Sequence, residues 1–128
     1  MTASSWLGKR MASMRTSRQR TGDEGEEQAL AYLQEAGLAL VQRSFLCKGG
    51  EIDLVMRDQG SLVFVEVRKR ASSQFGGAAA SVTPAKQKRM VHAAQVYLQT
   101  QKTMPACRFD LIAIDDGDIT WLRNVITA

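Results

Sequence analysis

The chain has 128 residues, of which 45% are hydrophobic and 23% charged, with a formal net charge of +4. This length predicts a single domain that can bury a core, and the composition excludes a wholly disordered chain and a membrane-spanning helix. The two cysteines, Cys47 and Cys107, are too few for a disulfide scaffold or a structural zinc site and predict reduced thiols in a cytoplasmic protein.

The positive charge is concentrated at the N-terminus. Residues 1–20 carry five basic and no acidic side chains, whereas residues 21–128 carry 12 basic and 13 acidic ones. The first segment lacks the apolar stretch of a secretory signal. We predict a basic, disordered arm over residues 1–20, which either touches phosphates or has no role, and a single domain over residues 21–128.

The domain is predicted to have seven elements in the order α-β-β-β-α-β-β. The helices are expected over residues 22–36, ending at Gly37, and from Pro84 to about residue 101, with Thr83 as N-cap. Strands are expected over residues 38–46, 51–57, 62–69, 108–115 and 118–123, with a small-residue loop over residues 71–82. A helix between the third and fourth strands allows these strands to lie parallel. The predicted fold is α/β (α+β), a mixed β-sheet flanked by helices.

Two acidic side chains are predicted to meet in the hairpin of the second and third strands. Strict alternation gives the hairpin one apolar face, made of Ile52, Leu54, Met56, Val63, Val65 and Val67. A two- or four-residue loop at Gln59-Gly60 aligns these apolar residues and sets Asp53 directly opposite Glu66 on the other face. Their Cβ atoms would then lie roughly 4.5–5.5 Å apart. The same register sets Glu51 opposite Arg68.

Two facing carboxylates destabilise a hairpin unless one is protonated or a cation lies between them. Mg²⁺ or Mn²⁺ suits oxygen ligands, binds phosphate and supports phosphodiester hydrolysis. Arg68 shares the face of Glu66 and can hold a phosphate through two hydrogen bonds. The alternative is a polar face in which Arg68, Lys69 or Lys48 neutralises both acids.

A group of basic residues is predicted near the start of the second helix. Lys86, Lys88 and Arg89 lie where free N–H groups of a helix attract anions. With Arg68, Lys69 and Arg70 they either follow a nucleic-acid backbone or form a solvated surface.

Three further residues receive structural interpretations. His92, the single histidine, is expected at the surface. Asp110 is expected to pair with Arg108, and Phe109 and Trp121 to lie in the core.

Several motifs together carry a family resemblance. They are Gly22 with Glu26, Gly50-Glu51-Ile52-Asp53-Leu54, Phe64-Val65-Glu66-Val67-Arg68, Lys86 and Arg108-Phe109-Asp110. Over about residues 20–124 the chain resembles the YraN family, which is similar to the restriction-endonuclease-like superfamily with its PD-(D/E)xK signature and to archaeal Holliday-junction resolvases.

The resemblance implies roles for individual residues. Asp53 and Glu66 match the metal-binding acids of the signature, and Glu26 matches an acid on the first helix that joins such sites. Arg68 stands where the signature has a lysine, and no proline precedes Asp53. An arginine cannot deprotonate, so it can act only as a fixed cation.

Three functions are compatible with these residues. The first is a Mg²⁺- or Mn²⁺-dependent nuclease-like enzyme acting on DNA, including branched or repair intermediates, with Glu26 or Glu51 assisting through water and Arg68 holding the phosphate. The second is a catalytically inactive nucleic-acid-binding module on the same fold. The third is a protein-interaction module, which the net charge of −1 over residues 21–128 favours. A two-fold homodimer would match the symmetric strands of a DNA junction.

Overall fold

A computed structural model of the protein describes residues 17–70 and 82–126. The helices are α1 (Ser17–Glu35) and α2 (Pro84–Leu98), and the strands are β1 (Ala39–Cys47), β2 (Gly50–Asp58), β3 (Ser61–Arg70), β4 (Cys107–Asp115) and β5 (Asp118–Leu122). Most of the predicted arm, up to residue 16, and residues 71–81 of the predicted loop lie outside the described residues. Within the described ranges, neither helix is long and apolar enough to cross a membrane.

The strands form one mixed sheet in the order β1-β2-β3-β4-β5. Strands β3 and β4 are parallel and are connected through α2, whereas the other neighbouring pairs are antiparallel. A tight turn reverses the chain and therefore joins antiparallel strands. Two parallel strands need a longer crossover connection, which α2 provides here. The predicted α-β-β-β-α-β-β fold is confirmed.

A helix covers each face of the sheet. The cluster on the α1 side contains Ala29, Leu30, Leu33, Leu38, Leu54, Met56, Val63, Val65, Ile112 and Ile114. The cluster on the α2 side contains Ile52, Val55, Leu62, Phe64, Met90, Ala93, Ala94, Tyr97, Phe109 and Ile126. The central strands β2, β3 and β4 contribute to both clusters, so they are buried on both faces and form a rigid platform for the side chains at their ends.

The helix boundaries differ from the predicted ones at two points. Helix α1 begins at Ser17, five residues before the predicted start, so residues 17–20 of the predicted arm belong to the helix. Gly22 predicts a boundary, but one glycine costs a helix only about 1 kcal/mol. Helix α2 begins at Pro84 with Thr83 as N-cap, as predicted, and ends at Leu98, three residues early. Gly37 ends the α1 segment in the left-handed conformation (φ 104°), as predicted.

The predicted register of the β2–β3 hairpin is confirmed. Leu54 pairs with Val65 and Asp58 with Ser61, which leaves Gln59-Gly60 as a two-residue loop. The predicted position of Ile52 is wrong, because Ile52 packs with Val55 on the α2 side rather than with Leu54 on the α1 side.

The physical reason is a break in the alternation of β2. The ladder between β2 and β3 extends only as far as the Leu54–Val65 pair, so β2 is released from β3 at Asp53. On the other side of β2, Ser44 of β1 has a left-handed backbone (φ 55°) and lies between the partners of Leu54 and Ile52. The side chains of β2 therefore stop alternating between the two faces at Asp53, which puts Ile52 on the α2 side. The predicted pairing of Glu51 with Arg68 does not form.

Candidate functional site

Asp53 lies where β2 separates from β3. Its side chain accepts a hydrogen bond from a backbone N–H of β3 that has no ladder partner on β2. The Asp53 carboxylate accepts a hydrogen bond from the backbone N–H of Val67 at 2.8 Å. On continuation of the hairpin register, that N–H would have faced the backbone of Ile52. A separating strand would otherwise leave the donor unsatisfied. Asp53 is therefore fixed by the backbone of β3, one residue beyond Glu66.

The carboxyl groups of Asp53 and Glu66 meet in a largely buried environment. Glu66 is only 5% exposed and Asp53 is half-buried. Burial, the charge of Glu66 and a hydrogen bond between the two carboxyl groups raise the pKa of Asp53 from 3.8 to about 9, against the opposing effect of the Val67 N–H. The structure thus brings together the two acids that the register predicted, although outside the regular ladder.

Two cations also lie beside the Glu66 carboxylate. Arg68 Nη2 forms an ion pair with Glu66 Oε2, and Lys86 Nζ lies 3.9 Å from the same oxygen. Among the described residues, Arg68 Nε is a buried nitrogen without a hydrogen-bond partner. The predicted alternative, neutralisation by basic side chains, therefore holds for Glu66, whereas Asp53 is bonded to Val67 and Glu66.

A cleft of about 300 Å³ opens beside Glu66. Its walls combine the β1–β2 turn, β3 and the first turns of α2, and its lining residues are Leu46, Gly49, Gly50, Glu51, Glu66, Lys86, Arg89 and Met90. A Cβ atom at Gly50 would overlap the carbonyl oxygen of Arg89 and lie 3.1 Å from Ala93 Cβ. The absence of a side chain at Gly50 thus allows the turn to rest on α2 and form part of the wall of the cleft.

The remaining predicted acids lie close to this pair. Glu26 of α1 is half-buried and lies 3.9 Å from Arg43. Burial raises the pKa of Glu26, as do the charges of Glu51 and Glu66, whereas Arg43 lowers it. Glu51 is exposed and lines the cleft. Arg43, which also contacts Glu27, ties β1 to α1 beside the site; as a lone basic residue on a strand it gives no signal in the sequence.

The predicted phosphate-binding residues are divided between two faces. Lys86 and Arg89 line the cleft, and Lys88 is exposed on the same helix. Lys69 points to the opposite face, as predicted, where its Nζ lies 3.7 Å from Glu24 of α1. Lys69 therefore does not join the cluster on α2, and the side chain of Arg70 lies outside the described part of the structure.

The residues interpreted as structural occupy such positions. His92 is exposed and its Nε2 lies 3.0 Å from the carbonyl oxygen of Lys48. Both cysteines are free. Asp110 is fully buried and accepts a hydrogen bond from Arg108 Nε at 3.0 Å, which confirms the predicted pair.

The donor set fits a hard divalent cation that keeps several waters. Mg²⁺ is commonly held by one or two carboxylates together with substrate phosphates rather than by a full cage of protein ligands. Asp53 and Glu66 supply two buried carboxyl groups whose like charges favour a proton or a cation between them. Within residues 17–70 and 82–126, no group of three or more His, Cys, Asp or Glu side chains is arranged to hold a metal ion. The fit is therefore to an ion that completes its coordination with water or phosphate.

The fold and the site together define a class of small mixed-sheet proteins with paired carboxylates at a strand end. Residues 25–114 match the family described as uncharacterised protein family UPF0102, so the chain belongs to the UPF0102 family. This confirms the predicted YraN-type resemblance at the level of the family.

Close relatives occur in several bacteria. A UPF0102 protein of Herminiimonas arsenicoxydans is 63% identical over 112 residues, covering 88% of this chain and 90% of the relative. One from Janthinobacterium sp. (strain Marseille) is 60% identical over 114 residues, covering 89% and 93%. One from Ralstonia pickettii is 61% identical over 109 residues, covering 81% and 87%.

Proposed function

We propose that the protein is a metal-dependent nuclease-like enzyme that hydrolyses phosphodiester bonds in DNA, including branched or repair intermediates. The observation that carries this proposal is the buried contact between Asp53 and Glu66 beside a cleft that Glu66, Lys86 and Arg89 line. A divalent cation would neutralise the two carboxyl groups of this site, and an anionic ligand would neutralise its basic side chains. The resemblance to the restriction-endonuclease-like superfamily and to Holliday-junction resolvases supports the same proposal.

Each residue has a distinct role in the proposal. Asp53 and Glu66 would hold Mg²⁺ or Mn²⁺, which when bound supplies Lewis-acid stabilisation of the phosphate and a more acidic water. The Val67 N–H fixes the orientation of Asp53. Arg68 and Lys86 would bind phosphate oxygens, and Glu26 and Glu51 would accept hydrogen bonds from water at the site.

The basic residues of α2 would follow the nucleic-acid backbone. Lys86, Lys88 and Arg89 lie within the first six residues of the helix; Lys86 and Arg89 line the cleft, and Lys88 is exposed beside them. Contacts of this kind fix the position of a duplex and carry no sequence information. The proposed enzyme therefore selects its substrate by structure rather than by base sequence. A cytoplasmic location and a two-fold homodimer remain predictions of the sequence.

The test is cleavage of duplex and four-way-junction DNA in the presence of Mg²⁺ or Mn²⁺. Wild-type protein is expected to cut, and Asp53→Asn to lower the rate by about 10²–10⁴-fold, because loss of a metal ligand removes several kcal/mol of transition-state stabilisation. Asp118→Asn makes the same chemical change at an exposed residue of β5 and is expected to leave the rate unchanged. Cleavage that survives in Asp53→Asn would contradict the proposal.

The second candidate is a nucleic-acid-binding module without catalysis. Arg68 favours this candidate, because an arginine cannot deprotonate and so cannot activate a water molecule as a lysine could. In the structure its guanidinium forms an ion pair with Glu66. Salt-dependent DNA binding by a protein that cuts none of the substrates with either metal would support this candidate. Absence of both binding and cleavage at low salt would leave the protein-interaction module.

A further inference from the structure

We propose that Arg68 is an electrostatic latch, which pairs with Glu66 in the free protein and transfers to a phosphodiester oxygen when a divalent cation binds. Metal binding and nucleic-acid binding are then positively coupled through one side chain. This inference rests on the proposed function and adds the regulation of its site.

The latch is visible in the contacts of Glu66. One oxygen of Glu66, Oε2, contacts both Arg68 and Lys86, and Glu66 and Lys86 both line the cleft. Glu66 is only 5% exposed, whereas the side chains of Arg68 and Lys86 are 24% and 30% exposed, so bulk water screens these contacts only in part. A divalent cation at Glu66 would compete with Arg68 for the carboxylate and would repel its guanidinium at short range.

Arg68 has unused capacity for a second partner. Its Nε atom is buried without a hydrogen-bond partner among the described residues, although it retains a donor proton. An unsatisfied buried donor costs free energy, which a partner that also bonds Nε would recover. A phosphodiester group can accept from two guanidinium nitrogens at once. The phosphate is therefore a better partner for Arg68 than Glu66 once the cation has taken the carboxylate.

Thermodynamic linkage makes the effects of metal and DNA on each other's binding equal. If DNA draws Arg68 away from Glu66, DNA strengthens metal binding, and the metal must strengthen DNA binding by the same factor. Coupling free energies in proteins correspond to about 5–150-fold changes in affinity, so we expect about tenfold. The free protein would consequently hold its metal weakly until nucleic acid is present.

The first measurement titrates Mn²⁺ into the full-length protein without DNA and follows the free-ion signal by electron paramagnetic resonance. Arg68→Gln removes the competing cation and is expected to bind Mn²⁺ about tenfold more tightly than wild type. Arg57→Gln removes a positive charge from an exposed position of β2 and is expected to leave the affinity unchanged. Equal Mn²⁺ affinity in wild type and Arg68→Gln would overturn the latch.

The second measurement requires no variant. The affinity of wild-type protein for a phosphorothioate DNA duplex, which resists cleavage, is expected to rise about tenfold at saturating Mn²⁺. The same duplex should show no such rise with Arg68→Gln. A wild-type DNA affinity that is independent of Mn²⁺, although Mn²⁺ binds, would overturn the latch and leave the proposed function intact. Absence of Mn²⁺ binding, with and without DNA, would overturn the proposed function and the latch together.

Discussion

Asp53→Asn is expected to stabilise the metal-free protein by about 4 kcal/mol at pH 7 and to have almost no effect near pH 4. In the folded protein, burial and the neighbouring Glu66 raise the pKa of Asp53 to about 9, whereas the unfolded chain has the ordinary value of 3.8. Asparagine reproduces the protonated form, because its carbonyl can accept from the Val67 N–H and its NH₂ can donate to Glu66.

The sign follows from proton linkage. A carboxyl group with a raised pKa contributes its full stability below the unfolded pKa and loses it as the pH rises toward the folded one. The free energy of unfolding of the wild-type protein should therefore fall by up to about 1.4 kcal/mol per pH unit between pH 4 and pH 9 because of this group alone. The variant has no carboxyl group at this position and should not show this fall.

The measurement is the free energy of unfolding in urea between pH 4 and pH 9. Asp118→Asn serves as the matched control at an exposed position and should parallel wild type. Added Mg²⁺ should stabilise wild type and leave Asp53→Asn unchanged, because an ion that binds only the folded state stabilises it. A variant that is destabilised equally at every pH would contradict the account.

Asp110→Ala is expected to destabilise the protein by about 3–5 kcal/mol. The Asp110 carboxylate is fully buried and accepts from Arg108 Nε at 3.0 Å, from Trp121 Nε1 at 2.9 Å and from the Asn124 N–H at 2.9 Å. Removing it takes the shared acceptor from three part-buried donors and leaves a cavity in its place. A domain of this size has only about 5–15 kcal/mol of stability, so the loss is a large fraction of the total.

The matched control is Asp58→Ala. Asp58 also pairs with Arg108, through Nη2 at 3.0 Å, but its side chain is 26% exposed and water can replace the lost partner. We expect a loss of about 1 kcal/mol there. Urea unfolding at pH 7 compares the two variants. Similar losses at both positions would contradict the role of Asp110 as the buried anchor of β4, β5 and the C-terminal segment.

The central feature of the candidate site could be predicted because it depends on a local rule. Apolar residues on the two strands of the hairpin align in only one register, and that register brings Asp53 to Glu66 whatever the rest of the chain does. The pairing of Arg108 with Asp110 is local for the same reason, because the two residues share a face of one strand.

Other features depend on contacts between distant segments and gave no signal. The altered position of Ile52 follows from the left-handed backbone of Ser44 on a neighbouring strand. The cleft depends on the close approach of Gly50 to α2, which lies more than 30 residues further along the chain. Alternation placed Arg68 beside Glu66, but the buried Nε that leaves its guanidinium incompletely bonded depends on tertiary packing.

The most direct test is a carbon-13 NMR titration of the Asp53 carboxyl group, assigned by comparison with Asp53→Asn. We expect this carboxyl to titrate near pH 9 in metal-free protein, where it is buried against Glu66, and at a much lower pH in saturating Mg²⁺. A carboxyl that titrates near its ordinary value of 3.8 without metal, and does not respond to Mg²⁺, would contradict the paired site.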